Sequence, residues 1–145
     1  MTTINKSVLI PYSPTEMFEL VNAIEIYPEF LPWCKRTKVL SRDNEEVKAA
    51  ITLSKSGVEK TFTTSNRIQP GKMIEMKLIE GPFKRLGGFW RFDPLGDEGC
   101  KVSLDMEFEF SNRILDRVIG PVFSQIANSL VDSFHKRAVE VYGKR

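Results

Sequence analysis

The chain has 145 residues, 41% of them hydrophobic and 28% charged, with a formal net charge of +2. That length suits one domain with a sizeable core, and the balance is that of a globular chain, too apolar for disorder and too often broken by charge for a membrane span. A charge of +2 neither supports nor excludes RNA as a partner, and nothing points to DNA.

The predicted elements begin with a strand over residues 3–10, where Ile4, Val8 and Ile10 share one face. A helix start follows. Ser13 is placed to cap it, Pro14 suits its first position, and Glu16 completes a capping box. Met17, Leu20, Val21 and Ile24 then recur at helical spacing, and the helix is expected to stop near Ile26, because Tyr27 precedes Pro28.

Residues 35–110 read as a run of strands. Arg42-Asp43-Asn44-Glu45, Ser56-Gly57, Pro70-Gly71 and Gly81-Pro82 mark the reversals between them. Val47, Ala49, Ile51 and Leu53 alternate on one strand, and Ile74, Met76 and Leu78 line another. Leu86, Trp90 and Phe92 belong to the next, where Gly87-Gly88 suggests a bulge. In the last strand Val102, Leu104, Met106, Phe108 and Phe110 point one way and Ser103, Asp105, Glu107 and Glu109 the other. One face is therefore buried and one wet, an antiparallel pattern.

The final element is a helix over 112–142, about 45 Å long at 1.5 Å per residue, capped by Ser111 or Asn112. Leu115, Val118, Ile119, Val122, Phe123, Ile126, Leu130, Phe134, Ala138 and Val141 form its apolar stripe, and Gly120-Pro121 is expected to kink it. The order of strand, helix, about six strands and long helix defines an α+β domain spanning 1–145. Its helical stripe has one large apolar surface to lie on, the concave face of the sheet. A strongly curved sheet wrapped around one helix is expected to leave a cavity between them.

Catalytic and metal-binding patterns are missing. His135 is the lone histidine, no G-x-S-x-G elbow exists, and no His/Cys cluster suits zinc. Asp105, Glu107 and Glu109 read as a solvated strand face. Cys34 and Cys100 lie outside any C-x-x-C motif and read as reduced, buried thiols, with a disulfide as the alternative.

Three groupings remain. The expected cavity lining is Phe62, Met76, Trp90, Phe92, Leu104, Met106 and Phe108 from the strands, with Val122, Phe123, Ile126 and Leu130 from the helix. Such side chains fill a core as readily as they line a pocket. Tyr27, Pro28, Phe30, Leu31, Pro32 and Trp33 make an unusually apolar connection, read either as a core plug or as a lid at a pocket mouth. Gly81, Pro82 and Phe83 form an apolar tip, read as an ordinary hairpin or as a gate. Lys84, Arg85, Arg113 and Arg117 are candidate phosphate contacts, together with Lys35 and Arg36. Lys6 and Lys60 fall on apolar strand faces, where they either snorkel or donate to a ligand carbonyl.

Val8-Leu9-Ile10-Pro11-Tyr12-Ser13, Tyr27-Pro28-Glu29-Phe30-Leu31-Pro32-Trp33-Cys34, Lys60-Thr61-Phe62-Thr63-Thr64, Glu80-Gly81-Pro82-Phe83-Lys84-Arg85-Leu86, Trp90-Arg91-Phe92 and Phe108-Glu109-Phe110 carry a resemblance. Together they resemble the family that includes the ribosome association toxins and the mitochondrial coenzyme Q-binding START-like proteins. The resemblance implies a helix-grip fold of START/Bet v 1 type, a hydrophobic tunnel and no catalytic residues. It implies two jobs: binding ubiquinone or another polyprenyl lipid in support of respiration, and binding the large ribosomal subunit to block its joining with the small one. It implies no resident cofactor beyond such a bound quinone. A polyketide cyclase or aromatase activity is the enzymatic alternative within related folds. With no block of signal-peptide length at Met1–Lys6, a cytoplasmic location without stable membrane insertion is expected.

Overall fold

A computed structural model describes residues 1–145. Seven strands form one antiparallel sheet in the order β1-β7-β6-β5-β4-β3-β2. They are β1 Thr2–Ile10, β2 Cys34–Arg42, β3 Glu46–Lys55, β4 Val58–Gln69, β5 Met73–Glu80, β6 Phe83–Leu95 and β7 Gly99–Phe110. Helix α1 (Pro14–Asn22) follows β1, and helix α2 (Arg113–Tyr142) ends the fold. Strands β2 to β7 are hairpin neighbours, and only β1 crosses the sheet to close on β7. No helix is long and apolar enough to cross a membrane.

Local chemistry accounts for most boundaries. The capping box forms as the residue pattern predicts: Glu16 N–H donates to Ser13 Oγ (3.1 Å) and Ser13 N–H to Glu16 Oε1 (2.9 Å). Helix α1 ends earlier than expected, at Asn22. The chain then tightens into a 3-10 turn over Ile24–Glu29 that contains Pro28, because the apolar spacing running on to Ile24 serves the turn as well as a helix. At the start of α2, Leu115 N–H donates to Asn112 Oδ1 (2.9 Å). The helix continues through Gly120-Pro121 for 30 residues in all.

Gly87-Gly88 is not a bulge. The pairing of β6 with β7 runs unbroken through these two residues, and that with β5 holds its register as far as Gly87, where it ends. The register shifts fall instead at Lys35 and Leu40 of β2, opposite Thr63–Thr64, where Ile79 is the extra residue of β5, and at Lys84 of β6. Those at Ile79 and Lys84 flank the Gly81-Pro82 turn, where an extra residue on each strand kinks it locally. Gly88 is required for a different reason: a Cβ on it would lie 2.1 Å from the Asp105 carbonyl oxygen of β7.

The concave face holds a single core. The expected alternation in β7 is met throughout, with Cys100, Val102, Leu104, Met106, Phe108 and Phe110 all buried. The stripe of α2 is shorter than expected. Ile119, Phe123, Ile126, Val131, Phe134 and Ala138 are buried, but Val118 is 57% exposed and Val141 48%, because both lie on the flank of the helix turned to solvent while Leu115 and Tyr142 beyond them pack on the core.

Candidate functional site

Beneath α2, on the β3–β5 side of the sheet, lies an apolar cavity of about 80 Å³. Fifteen of its 18 lining residues are hydrophobic, so nearly all of its surface gains from excluding water. Each surrounding element contributes through its inward alternation. Strand β3 supplies Ile51 and Leu53, β4 supplies Phe62, Thr64 and Asn66, β5 supplies Met76, and β6 supplies Leu86, Gly87 and Trp90. Met106 comes from β7, and Phe123, Ile126, Ala127, Leu130 and Phe134 from α2. Ile24, Tyr27 and Trp33 close the end nearest the 3-10 turn.

Of the eleven residues expected on the lining, Phe62, Met76, Trp90, Met106, Phe123, Ile126 and Leu130 are there, and Phe92, Leu104, Phe108 and Val122 are not. The reason is the position of the helices. Phe18 of α1 packs edge-on to Phe92 (5.9 Å between centroids), and Phe123 of α2 packs against Phe108 (4.7 Å). The sheet around Phe92 and Phe108 is thus covered by direct contact, and the space is left beside it, walled by Leu86 and Trp90 of β6 and Met106 of β7 as well as by β3–β5.

The apolar connection is mostly a plug. Leu31 is 1% exposed, and Phe30 is half-buried against Tyr27 and Phe134. Pro28 and Pro32 are exposed. Only Tyr27 and Trp33 from this connection reach the cavity. Tyr27 is the one titratable side chain on the wall. Its hydroxyl donates to the Val21 carbonyl, and burial pushes its pKa well above that of a free phenol.

At the Gly81-Pro82-Phe83 tip, Gly81 is exposed and Pro82 half-buried, but Phe83 is packed into the core. Phe83 is 6% exposed, stacked on Phe110 at 4.8 Å and set edge-on to Phe123 at 5.0 Å. The Pro82 carbonyl accepts from both the backbone N–H and the hydroxyl of Ser111, each at 3.0 Å. That pair ties the tip to the start of α2. None of the three residues lines the cavity. Lys6 and Lys60 are both exposed and away from it, so neither is placed to donate to a guest.

The candidate phosphate contacts divide into two kinds. Lys84 and Arg85 both approach Glu109, each at 3.8 Å, and Lys35 pairs with Glu59 at 2.6 Å. Arg36, Arg113 and Arg117 are exposed and form no ion pair. Arg113 and Arg117 stand one turn apart on the exposed face at the start of α2, beside exposed Ile114 and Val118. Lys84, Arg113 and Asp116 border one shallow depression there.

Of the wall residues outside the expected lining, two are polar and buried: Thr64 and Asn66, 5% and 8% exposed. The signal is present in the sequence, since both have the same parity as Phe62 along β4. Cys34 and Cys100 are free, buried thiols, each with its pKa pushed up to about 11 by burial, so they are poor nucleophiles. No cluster of His, Cys, Asp and Glu suits a metal ion.

A long helix held in the concavity of a seven-stranded antiparallel sheet, with an apolar space between them, is the helix-grip architecture of the START-like proteins. The sequence model described as polyketide cyclase / dehydrase and lipid transport matches residues 10–135, and the chain belongs to that family. Among curated relatives, it is 43% identical over 144 residues to the ribosome association toxin RatA of Vibrio cholerae, covering 99% of this chain and 100% of the relative. It is 25% identical to the mitochondrial coenzyme Q-binding protein COQ10 homolog B of Xenopus laevis, over 97% of this chain and 59% of that protein. The fold also matches the crystal structure of the Zhui aromatase/cyclase from Streptomyces sp. R1128 with a TM-score of 0.84, at 14% identity and 99% coverage of both chains.

Proposed function

We propose that this protein is a ribosome-association factor that binds the large ribosomal subunit and opposes its joining with the small one. The observation that carries the reading is end-to-end identity, 43% without a missing element, with a relative named for ribosome association. The surface suits it. Arg113 and Arg117 stand exposed without an ion-pair partner at the start of α2, free to meet phosphates. The size of the cavity also favours a surface role, because about 80 Å³ is far below the 300–1,000 Å³ typical of pockets that enclose a drug-sized ligand. Sedimentation of the protein with purified subunits tests the reading. The protein is expected in the large-subunit fractions, more weakly as salt rises, and its absence from them would rule the reading out.

A second reading is supported by the greasy lining itself: the cavity takes part of an apolar ligand such as the ring of a polyprenyl quinone, with the tail emerging past α2. Both tryptophans of the chain, Trp33 and Trp90, are on the wall, so a bound quinone should quench their fluorescence. Titration with a short-chain ubiquinone that leaves the emission unchanged would count against it. In either role the protein is read as non-catalytic. The cavity's sole titratable group, Tyr27, has already committed its proton to Val21, which leaves a cyclase-like reaction without an acid or base.

A further inference from the structure

We infer that the polar corner of the cavity, Asn66 with Thr64, anchors a compact ring ligand bearing a hydroxyl or carbonyl group; the inference rests on the reading of the cavity as a ligand site. Thr64 and Asn66 follow Phe62 at spacings of two along β4, so all three point into the concave face, and all three line the void. The Thr64 hydroxyl donates to Asn66 Oδ1 at 3.0 Å. That bond fixes the amide with its oxygen toward Thr64 and leaves the Asn66 N–H groups without a protein partner. On the wall at the other side of the lining, the Trp33 indole N–H is buried and donates to nothing.

Unspent donors in an apolar chamber are unfavourable unless something accepts from them. Away from the cavity, Thr52 is matched by Thr61 at 2.7 Å, while Asn22 Oδ1 and Arg137 Nε are buried without a partner. The corner therefore has a defined complement. A hydroxyl oxygen accepts from Asn66 while its proton goes to the free lone pairs of Thr64, and a carbonyl accepts from Asn66 alone. The rest of the guest must be apolar, to match the lining, and small, to match about 80 Å³. Met76 and Met106 border the same space and supply the adaptable part of its wall.

Phenol and benzene are matched probes, differing only in the hydroxyl. Binding is followed by the methyl resonances of Met76 and Met106 in the wild-type chain, in Asn66→Leu and in Thr64→Val. Loss of the anchor is expected to weaken phenol about tenfold in Asn66→Leu while benzene changes by less than about twofold. Thr64→Val, which is closer in shape, is expected to weaken phenol selectively as well and decides the matter if Asn66→Leu does not fold. If both probes bind and neither variant separates them, the anchor is overturned and an apolar cavity remains. If neither probe moves the methionine methyls of the wild-type chain, the ligand-cavity reading falls too.

Discussion

Arg145 grips Glu16 with both ends of its guanidinium, Nη1 to Oε1 at 2.7 Å and Nη2 to Oε2 at 2.9 Å. The same carboxylate caps α1, so one side chain joins the start of α1 to the end of α2. Tyr12 and Tyr142 complete the clasp. The Tyr12 ring lies 5.0 Å from the Arg145 guanidinium, and the hydroxyls of Tyr12 and Tyr142 donate to the carbonyls of Gly143 and Glu16. The helix that roofs the cavity is thereby pinned at its far end.

The clasp carries a pH dependence. The Arg145 guanidinium, first of all, and the Ser13 N–H hold the Glu16 carboxyl down to about 2, from an ordinary 4.5. A depressed folded pKa gives stability that is complete above the unfolded value and drains away as pH falls from about 4.5 through about 2. Glu16→Gln keeps an oxygen for the cap but loses the charge. It is expected to melt below the wild type at pH 7, with the gap closing as pH approaches 2. Melting curves by circular dichroism check this, and a gap that persists unchanged at pH 2 would assign the effect to packing.

Gly88 is a second point where one atom decides stability. Its Cα faces the β7 backbone so closely that Gly88→Ala must part β6 from β7, at a cost of at least about 2 kcal/mol. Gly96, with φ +59° and open space for 4 Å around the point where a Cβ would stand, should lose only about 1 kcal/mol as Gly96→Ala. Urea denaturation of the two variants measures the contrast.

Phe83 distinguishes a core wedge from a gate. Its ring meets Phe62, Phe108, Phe110 and Phe123, so Phe83→Ala should destabilise the fold by about 3–4 kcal/mol. A gate residue would instead leave the urea midpoint in place and change only the rate of ligand entry.

The fold is legible in the sequence because its periodicities are clean. The β7 alternation and the Ser13–Glu16 box each have one geometric solution, and each is found, while the spacing along α2 gives the helix but a longer stripe than the one buried. What is not legible depends on where the elements come to rest. Val118 matches the spacing of its stripe but turns to solvent, and Phe92 has the parity of a cavity residue but is covered by Phe18. A strand pattern fixes the face a side chain points to, not which helix lies above it. Thr64 and Asn66 are hidden differently. Polar residues on an apolar parity look like breaks in the pattern until the structure encloses them. The Gly87-Gly88 pair reads as a bend because glycine serves both bends and close approaches, and only the neighbouring strand tells them apart.

The arginine pair gives the ribosome reading a residue-level consequence. Arg113→Glu with Arg117→Glu alters exposed side chains that have no ion-pair partner, so the melting temperature should hold. Affinity for the large subunit should fall, and the slope of log affinity against log salt should lose roughly one per phosphate contact removed. Retained affinity with an unchanged salt slope would move the contact surface away from the start of α2.

The central claim is tested most directly by light scattering as purified small and large subunits are mixed at a magnesium concentration that favours joining. Preincubation of the large subunit with stoichiometric protein is predicted to suppress the rise in scattering that accompanies joining. An unchanged rise, at a protein concentration well above that of the subunits, would contradict the account.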